Sequence, residues 1–388
     1  MQTTKAIFLL FLTSSLLFSR NLFVSLKGDD ENEGDFKHPF KTLQKAINSA
    51  KPGDIVYIRG GVYPLKGEFT ANGTERKPII FRPYKNETVV FKGERKKEDK
   101  FWIVGSYQIL KNFKIINGET GAVFTRYEDF NASHNVLENI EFYGHVFGGV
   151  LITGGASYNL ILNCDSHDNF DEKTAGEHAD GFAVKGFENG YPYPYAGDGN
   201  EFIGCRAFNN SDDGFDLWDA GGKVTIKRCL SYGNGYDRWN FTKRTGKRFE
   251  GDGSGFKLGR NNKKYGTSFH KVINSLAWNN KYAGFDSSEN ENALLIKNNV
   301  SYDNGINYKF ESKKQILFHN LSIKPKFSHF RGLKDPHFLN SWEECEDKEI
   351  EKRVVSYDDT KIRGKRDEKG EFVRGDFLKL NPPCKSYR

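Results

Sequence analysis

Residues 228–234 read RCLSYGN, and four other stretches of the chain align with this segment without gaps. Each of the five segments ends in Asn, and the terminal Asn residues lie 41, 24, 46 and 24 positions apart. Two of these spacings are one period of 24 residues, and the other two are one period plus an insertion. A fixed period of this length is typical of a solenoid. The other segments are residues 163–169 (NCDSHDN), 204–210 (GCRAFNN), 274–280 (NSLAWNN) and 298–304 (NNVSYDN).

The composition indicates that the repeating unit is built from strands. The chain has 388 residues with 14% aromatic residues, 40 Gly and a single Met, a balance that suits strands and tight turns. One segment cannot bury its apolar face alone, but stacked coils share a continuous core. Asn at a corner tolerates the left-handed conformation, and its side-chain amide can bond to the Asn one coil away. The sequence therefore predicts an all-β, right-handed parallel β-helix rather than a propeller.

The two ends of the chain differ from the repeat. Residues 1–19 carry one early cation, an apolar run and small polar residues, which is typical of a secretory signal peptide, with a buried helix as the alternative. Residues 42–49 predict a short amphipathic helix that caps the open N-terminal end of the solenoid. We expect residues 20–310 to form the β-helix, and residues 311–388 to be an extension that packs along it or covers its C-terminal end.

Cysteine placement follows the repeat in three cases out of five. Cys164, Cys205 and Cys229 occupy equivalent positions, so we expect them to stack as small buried apolar residues rather than to form disulfides. Cys345 and Cys384 lie in the extension and could form one bridge in an oxidising compartment. The sequence leaves that bridge open.

A second repeated element is a Gly-Phe step followed by a short strand. If Phe points inward at each step, the period-two alternation of a strand sends the following residue outward. The residues after Phe are Ala183, Asp216, Lys257 and Asp286. We therefore expect these four residues to form one outward column, with neighbours about 4.8 Å apart.

Acidic residues concentrate beside this column. Asp212, Asp213 and Asp216 lie within one turn and the start of a strand, and Asp180 occupies the place of Asp213 one coil earlier. Carboxylates that converge on one face repel each other unless a cation lies between them, and Ca²⁺ accepts six to eight oxygen ligands. The alternative is that Asp-Gly and Asp-Asp-Gly are ordinary turn sequences. The register favours a calcium site formed by the four aspartates.

Lys257 is the candidate base. It belongs to the same column as Asp216, and a nearby divalent cation disfavours the charged form of lysine, which would bring its pKa towards working pH. These groups suit removal of the proton α to the carboxylate of a uronic acid, with loss of the 4-linked sugar. The alternative is a solvated surface lysine, which 58 Lys and Arg residues make common.

The basic balance of the chain fits an acidic polymer. The formal net charge is +7, and summed basic charge attracts polyanions. Two insertions, residues 187–200 and 236–252, are candidate walls of a binding groove. Arg260, Arg244 and Arg248 are candidate ligands of further uronate carboxylates, because guanidinium binds carboxylate through two hydrogen bonds.

Four ordered motifs resemble polysaccharide lyase family 9, the pectate-lyase-like parallel β-helix enzymes. The resemblance implies that Asp180, Asp212, Asp213 and Asp216 bind calcium and that Lys257 is the base. It implies a substrate of 4-linked galacturonan, namely homogalacturonan or a related pectin, although family members differ between pectate and rhamnogalacturonan. The motifs are residues 176–183 (GEHADGFA), 209–216 (NNSDDGFD), 253–259 (GSGFKLG) and 279–286 (NNKYAGFD).

Two other functions remain as alternatives. A pectin hydrolase on the same scaffold would use Asp212 and Asp213 as its acid and base, but Lys257 would then have no role. A non-catalytic glycan-binding β-helix would use Trp218 and Trp239 as aromatic platforms. For the lyase we expect a secreted monomer that binds an acidic polysaccharide and no nucleic acid, and that has no membrane span.

Overall fold

The computed structural model describes residues 19–127, 130–186, 195–260, 269–333, 337–344 and 347–383. Residues 1–18 of the expected signal segment, most of the 187–200 insertion, Cys345 and Cys384 lie outside these described residues. The chain winds through three sheets of parallel strands, one strand per sheet in most coils. Each strand pairs with its counterpart in the next coil, so the described part of the chain is a parallel β-helix.

We name the sheets I, II and III in the order in which a coil visits them. Sheet I contains Asn21–Val24, Ile55–Ile58, Ile79–Pro83, Gln108–Lys111, Val136–Glu138, Leu160–Leu162, Asn200–Ile203, Val224–Lys227, Lys271–Ile273, Leu295–Lys297, Ile316–Phe318 and His337–Phe338. Sheet II contains Gly61–Pro64, Val89–Lys92, Lys114–Ile116, Glu141–Tyr143, Asp165–His167, Arg206–Phe208, Leu230–Tyr232, Leu276–Trp278, Val300–Tyr302 and Leu321–Ile323. Sheet III contains Lys66–Phe69, Lys100–Ile103, Thr120–Phe124, Gly148–Ile152, Asp180–Val184, Phe215–Asp216, Phe256–Lys257, Ala283–Asp286, Ile306–Phe310 and Ser328–Gly332.

The remaining elements are short. Arg126–Tyr127 and Phe130–Asn131 form a small antiparallel pair. The helices are Leu43–Ser49, Phe241–Thr245, Ser341–Glu344, Asp347–Arg353 and Thr360–Arg363. Among the described residues, no helix has both the length and the apolar character needed to cross a membrane.

The first helix is the predicted N-terminal cap. Thr42 accepts a hydrogen bond from the backbone N–H of Lys45 through its side chain, which satisfies one free donor of the first turn. Leu43, Ala46 and Ile47 are buried in the core that the first coils share. The helix therefore covers the open end of the solenoid, as the sequence predicted.

The Gly-Phe steps produce an inward stack of aromatic rings in sheet III. Phe182, Phe215, Phe256 and Phe285 are fully buried, with successive ring centroids 5.1, 4.9 and 4.8 Å apart. Glycine is required before the ring because the coils approach closely there. A Cβ on Gly214 would lie 2.7 Å from the carbonyl oxygen of the next coil and 1.9 Å from the Ser231 hydroxyl. The stack fixes the register of the strands.

That register creates the outward column that the sequence predicted. Ala183 pairs with Asp216, Asp216 with Lys257, and Lys257 with Asp286 along sheet III. Lys309 continues the column one coil beyond Asp286. The alternation of strands thus places two carboxylates and two amines in one row on the outer face.

The Asn residues that end the repeats form a buried ladder. Asn169, Asn210, Asn234, Asn280 and Asn304 are linked by side-chain hydrogen bonds of 2.8, 3.1, 2.9 and 2.9 Å. The left-handed conformation falls one residue earlier than expected, because the ladder Asn must point its amide along the solenoid. The left-handed residues are Asp168, Asn209, Gly233, Asn279 and Asp303.

The β-helix continues past the expected boundary at residue 310. Four further strands follow that residue, the last being His337–Phe338. Asn299 bonds to Asn320, and Asn320 bonds to Asn340, so a second ladder carries the coils onward. The boundary was placed too early because these coils are shorter than 24 residues and lack the Gly-Phe step.

The last part of the described chain, residues 347–383, packs on the outer face of sheet II. Ile350, Ile362, Phe377 and Leu378 are buried in a cluster with Leu230, Tyr232, Leu276, Trp278 and other side chains of that sheet. The Trp278 indole N–H donates to an Asp359 carboxylate oxygen at 2.8 Å. On the inner side, Cys164, Cys205 and Cys229 are buried free thiols. Among the described residues, this cluster covers sheet II, whereas the outward column lies on sheet III.

One buried imidazole predicts how stability depends on pH. His145 is completely buried, accepts the Gly118 N–H at Nδ1 at 3.0 Å, and burial lowers its pKa to about 3. A depressed histidine pKa stabilises the fold above the unfolded value near 6.5, and this stabilisation is lost as pH falls towards 3. The expected loss is about 2 kcal/mol near pH 5, at about 1.4 kcal/mol per pKa unit.

His145→Asn is expected to remove that part of the acid sensitivity. The backbone N–H of His145 donates to the Asn169 side chain at 2.9 Å, so His145 stands where the ladder elsewhere uses Asn. Urea unfolding at several pH values measures the effect, with exposed His38 replaced by Asn as the control. An unchanged pH slope in His145→Asn would contradict the assignment.

Candidate functional site

A long groove of about 1220 Å³ runs over the outer face of sheet III. Its floor includes Trp102, Leu151 and Asp216 from separate coils, followed by Lys257 and Lys309. Its length crosses several coils, and each coil advances about 4.8 Å. The groove is therefore long enough to bind several units of a linear polymer.

Three carboxylates converge in this groove. Asp180 begins its sheet III strand, and Asp212 and Asp213 occupy the turn that enters the next strand. One oxygen of each carboxylate lies within 4.8 Å of the others. Asp216 follows on the strand, and all four side chains are buried. The structure thus brings together the four aspartates that the sequence singled out.

Backbone amides hold the carboxylates in place. Asp180 Oδ1 accepts the Asp213 N–H at 3.2 Å, and Asp213 Oδ1 accepts the Ser254 N–H at 2.6 Å. Asp212 Oδ1 accepts the Asp252 N–H at 2.9 Å. Each bond crosses from one coil to another. The positions of the carboxylates are therefore set by the stacking of the coils.

Two lysines neutralise part of this negative charge. Lys185 Nζ lies 2.7 Å from Asp180 Oδ2 and 2.6 Å from Asp216 Oδ2. Lys257 Nζ lies 2.9 Å from Asp213 Oδ2 and 3.6 Å from Asp252 Oδ2. The Lys185 and Lys257 side chains are only 18% and 13% exposed, so these ion pairs are weakly screened by solvent.

Burial raises the pKa of most of the carboxyl groups. It raises the pKa of Asp180 to about 6 and that of Asp213 to about 7, although Lys185 and Lys257 oppose the change. Burial and the charges of Asp213 and Asp180 raise the pKa of Asp212 well above its usual range. For Asp216, burial is outweighed by the two lysines, and its pKa is lowered. The cluster therefore favours added positive charge.

Lys257 has the opposite shift from the one that the sequence predicted for a cation-bound site. Burial lowers its pKa, but the charges of Asp213, Asp216 and Asp212 outweigh burial and raise the pKa above the usual value for lysine. The predicted lowering depended on a divalent cation, and the protein side chains alone act in the other direction.

The three predicted arginines lie in different places. Arg260 is exposed beside the groove, with its guanidinium 5.3 Å from the centroid of the Trp218 ring, and Lys257 Nζ is also 5.3 Å from that centroid. Arg244 pairs with Glu172 at 3.0 Å on the short helix of the 236–252 insertion. Arg248 is highly exposed and borders a separate depression. The structure thus brings only Arg260 close to Lys257.

Two lysines of the groove, Lys185 and Lys309, were not predicted from the sequence. Period-two alternation from Ala183 reaches Lys185, so the pattern itself contained the signal. Lys309 pairs with Asp286 at 3.5 Å in the outward column, one coil beyond the last Gly-Phe step. Trp239, in the 236–252 insertion, stacks on Phe170 with centroids 4.7 Å apart, so its ring packs between the insertion and the coil of Phe170.

Comparison with known proteins gives consistent matches. A family model described as "Pel9A-like, right handed beta helix region" matches residues 22–322. Pectate lyase L of Dickeya chrysanthemi is 33% identical over 80% of this chain and 73% of its own length. Pectate lyase PEL9 of Emericella nidulans is 30% identical over 93% of this chain and 92% of its own length.

Solved structures agree in fold. The crystal structure of pectate lyase Pel9A matches with a TM-score of 0.76 at 28% identity, covering 95% of this chain and 90% of that chain. A rhamnogalacturonan lyase structure matches with a TM-score of 0.77 at 25% identity, covering 93% of this chain and 96% of that chain. The similarity extends over nearly the whole length of each structure.

Proposed function

This chain belongs to the Pel9A-like right-handed β-helix family and is a polysaccharide lyase of the pectate type, and from that premise we propose that it cleaves 4-linked galacturonan by calcium-assisted β-elimination. Lys257 is the proposed base. The observation that carries the proposal is the position of Lys257, which lies in the groove floor next to Asp216 with Nζ in contact with Asp213.

The donor set fits a calcium ion. Asp180, Asp212 and Asp213 offer hard oxygen ligands within one small volume, and Asp216 adds a fourth carboxylate beside them. Asp180 Oδ2 and Asp213 Oδ2 are buried, and their contacts are with the ammonium groups of Lys185 and Lys257. Calcium bound here would offset the charges that raise the pKa of Lys257 and would stabilise negative charge on a substrate carboxylate.

In the proposed reaction, Lys257 acts as the base and solvent supplies the final proton. Lys257 Nζ takes the proton α to the uronate carboxylate. The electrons of that C–H bond form the new carbon–carbon double bond, and the bond to the 4-linked oxygen breaks. The leaving oxygen receives a proton from solvent. Burial of Lys257 limits competing contacts with water.

Cations along the groove supply candidate contacts to neighbouring uronates. Arg260 stands beside the reacting position, and Lys309 lies two coils beyond the coil of Lys257 in the outward column. Both are proposed to bind substrate carboxylates. Arg244 and Arg248 keep the same predicted role for longer substrates, although their present partners are Glu172 and Glu250.

Rhamnogalacturonan is the second candidate substrate, because the rhamnogalacturonan lyase structure matches over the whole groove-bearing fold. We further propose that the enzyme is exported, since residues 1–19 have the composition of a signal peptide. Export would place it where plant cell-wall polymers are found.

The proposed activity predicts a calcium-dependent gain in ultraviolet absorbance. On polygalacturonate with calcium we expect unsaturated uronate products, and with a chelator we expect at least about a hundredfold loss of rate, because the buried carboxylates then lack the cation that stabilises the transition state. Readdition of calcium should restore the rate.

The same assay separates the alternatives. Products from rhamnogalacturonan but not from polygalacturonate would change the substrate while keeping the lyase. New reducing ends without unsaturation would contradict β-elimination and indicate a hydrolase. No product from either polymer would contradict the proposed substrate class.

A further inference from the structure

We propose that Lys185 sets the charge of the metal site, so that the four buried aspartates match a single divalent cation. The proposal rests on the calcium site of the proposed function. It concerns a residue outside the predicted ligand set and gives it a role as a positioning and selectivity residue.

Lys185 is built into the cluster rather than placed at its edge. It follows the strand Asp180–Val184, and its backbone N–H donates to the Ile152 carbonyl at 3.1 Å. Its ammonium contacts one oxygen of Asp180 and one of Asp216, at 2.7 and 2.6 Å. These carboxylates belong to neighbouring coils. Lys185 therefore links two levels of the β-helix at the metal site.

The buried cluster has a net negative charge that can be counted from its side chains. Four buried carboxylates carry four negative charges when ionised, and Lys185 and Lys257 carry two positive charges. The remaining two negative charges balance the two positive charges of one calcium ion. Asp252 also approaches Lys257, but its side chain is 65% exposed, so solvent screens it. Lys309 and Asp286 pair with each other farther along the column.

Loss of the Lys185 charge is expected to change metal preference. Lys185→Met keeps most of the aliphatic stem, and the cluster then keeps three negative charges. Since the Lys185 ammonium contacts Asp180 and Asp216, two of the proposed ligands, its repulsion of the cation is lost in this variant. At a pH well above the pKa values of the aspartates, we expect about tenfold or tighter calcium binding. We also expect about a tenfold gain in preference for Tb³⁺ over Ca²⁺.

A compensating variant separates charge from architecture. Lys185→Met combined with Asp216→Asn returns the remainder to two negative charges, and the amide oxygen of Asn remains a possible calcium ligand. Under the proposal, this double variant recovers a Ca²⁺ affinity and a Tb³⁺/Ca²⁺ ratio within about threefold of wild type. If Lys185 only tied strands together, the second substitution would not restore either value.

Calorimetric titration with CaCl₂, terbium luminescence and thermal unfolding of the full chain provide the test. Lys309→Met is the matched control, because it removes a lysine of the same groove that pairs with Asp286 instead of the four aspartates. It should bind both ions as wild type does. Thermal unfolding in chelator should show that Lys185→Met is less stable than wild type and that calcium raises its Tm by more.

The outcomes are distinct. Wild type that binds no calcium would overturn the proposed function itself. Wild type that binds calcium, together with a Lys185→Met variant of unchanged affinity and unchanged ion preference, would overturn only the role of Lys185. If Lys185→Met does not fold, a folded double variant with near-wild-type calcium binding supports charge matching. A double variant that also fails to fold overturns it.

Discussion

Lys257→Ala is expected to lower kcat for β-elimination by about a hundred- to ten-thousandfold, the range for loss of a general base. Lys257 is the amine that the outward column places beside Asp216 and in contact with Asp213. Its removal should keep the calcium ligands in place and should not weaken calcium binding, because Asp180, Asp212 and Asp213 are held by backbone amides from other coils. Product absorbance under saturating substrate measures kcat, and calorimetry checks the metal site.

Two variants separate proton transfer from charge pairing. Lys257→Arg keeps a cation beside Asp213 but cannot act as a base near neutral pH, because arginine remains protonated. It should be nearly as inactive as Lys257→Ala. Lys309→Ala, in the same column two coils away, should raise KM and change kcat less than about tenfold, because Lys309 is proposed only to bind substrate. A Lys257→Arg variant with more than a tenth of wild-type kcat would contradict the assignment.

The column that contains Lys257 was predictable because its determinants are local. The Gly-Phe step fixes which face of each short strand is inward, and the repeat fixes which steps are neighbours. Asp216 and Lys257 therefore needed no knowledge of loops to be placed side by side. Counting two residues on from Ala183 would have placed Lys185 on the same outer face. The sequence does not show, however, where the strand that begins at Asp180 ends.

Other features depended on contacts that the repeat does not encode. Arg244 was predicted as a substrate ligand, but its position follows from the helix Phe241–Thr245, which packs through Phe241 against Phe170 and Phe249. Packing among side chains from distant coils sets that arrangement. The pKa of Lys257 likewise depends on the burial of three carboxylates, and the sequence gives their number but not the depth at which they lie.

Phe256→Ala is expected to lower the free energy of unfolding by about 3–5 kcal/mol, the range for removing a buried aromatic side chain. The ring is fully buried between Phe215 and Phe285, with centroids 4.9 and 4.8 Å away. The neighbouring coils cannot close the cavity, because their spacing is fixed by the strand hydrogen bonds. Urea unfolding followed by far-ultraviolet circular dichroism measures the change.

Phe327→Ala is the matched control, because the Phe327 side chain is 83% exposed and the same atoms are removed. Its expected cost is below about 0.5 kcal/mol. A loss of less than about 1.5 kcal/mol in Phe256→Ala would mean that the coils relax into the cavity. Phe256 and Lys257 are consecutive residues of one two-residue strand, so such relaxation would also move Lys257. Folded Phe256→Ala at low temperature should therefore lose activity if the coils relax and keep it if the cavity persists.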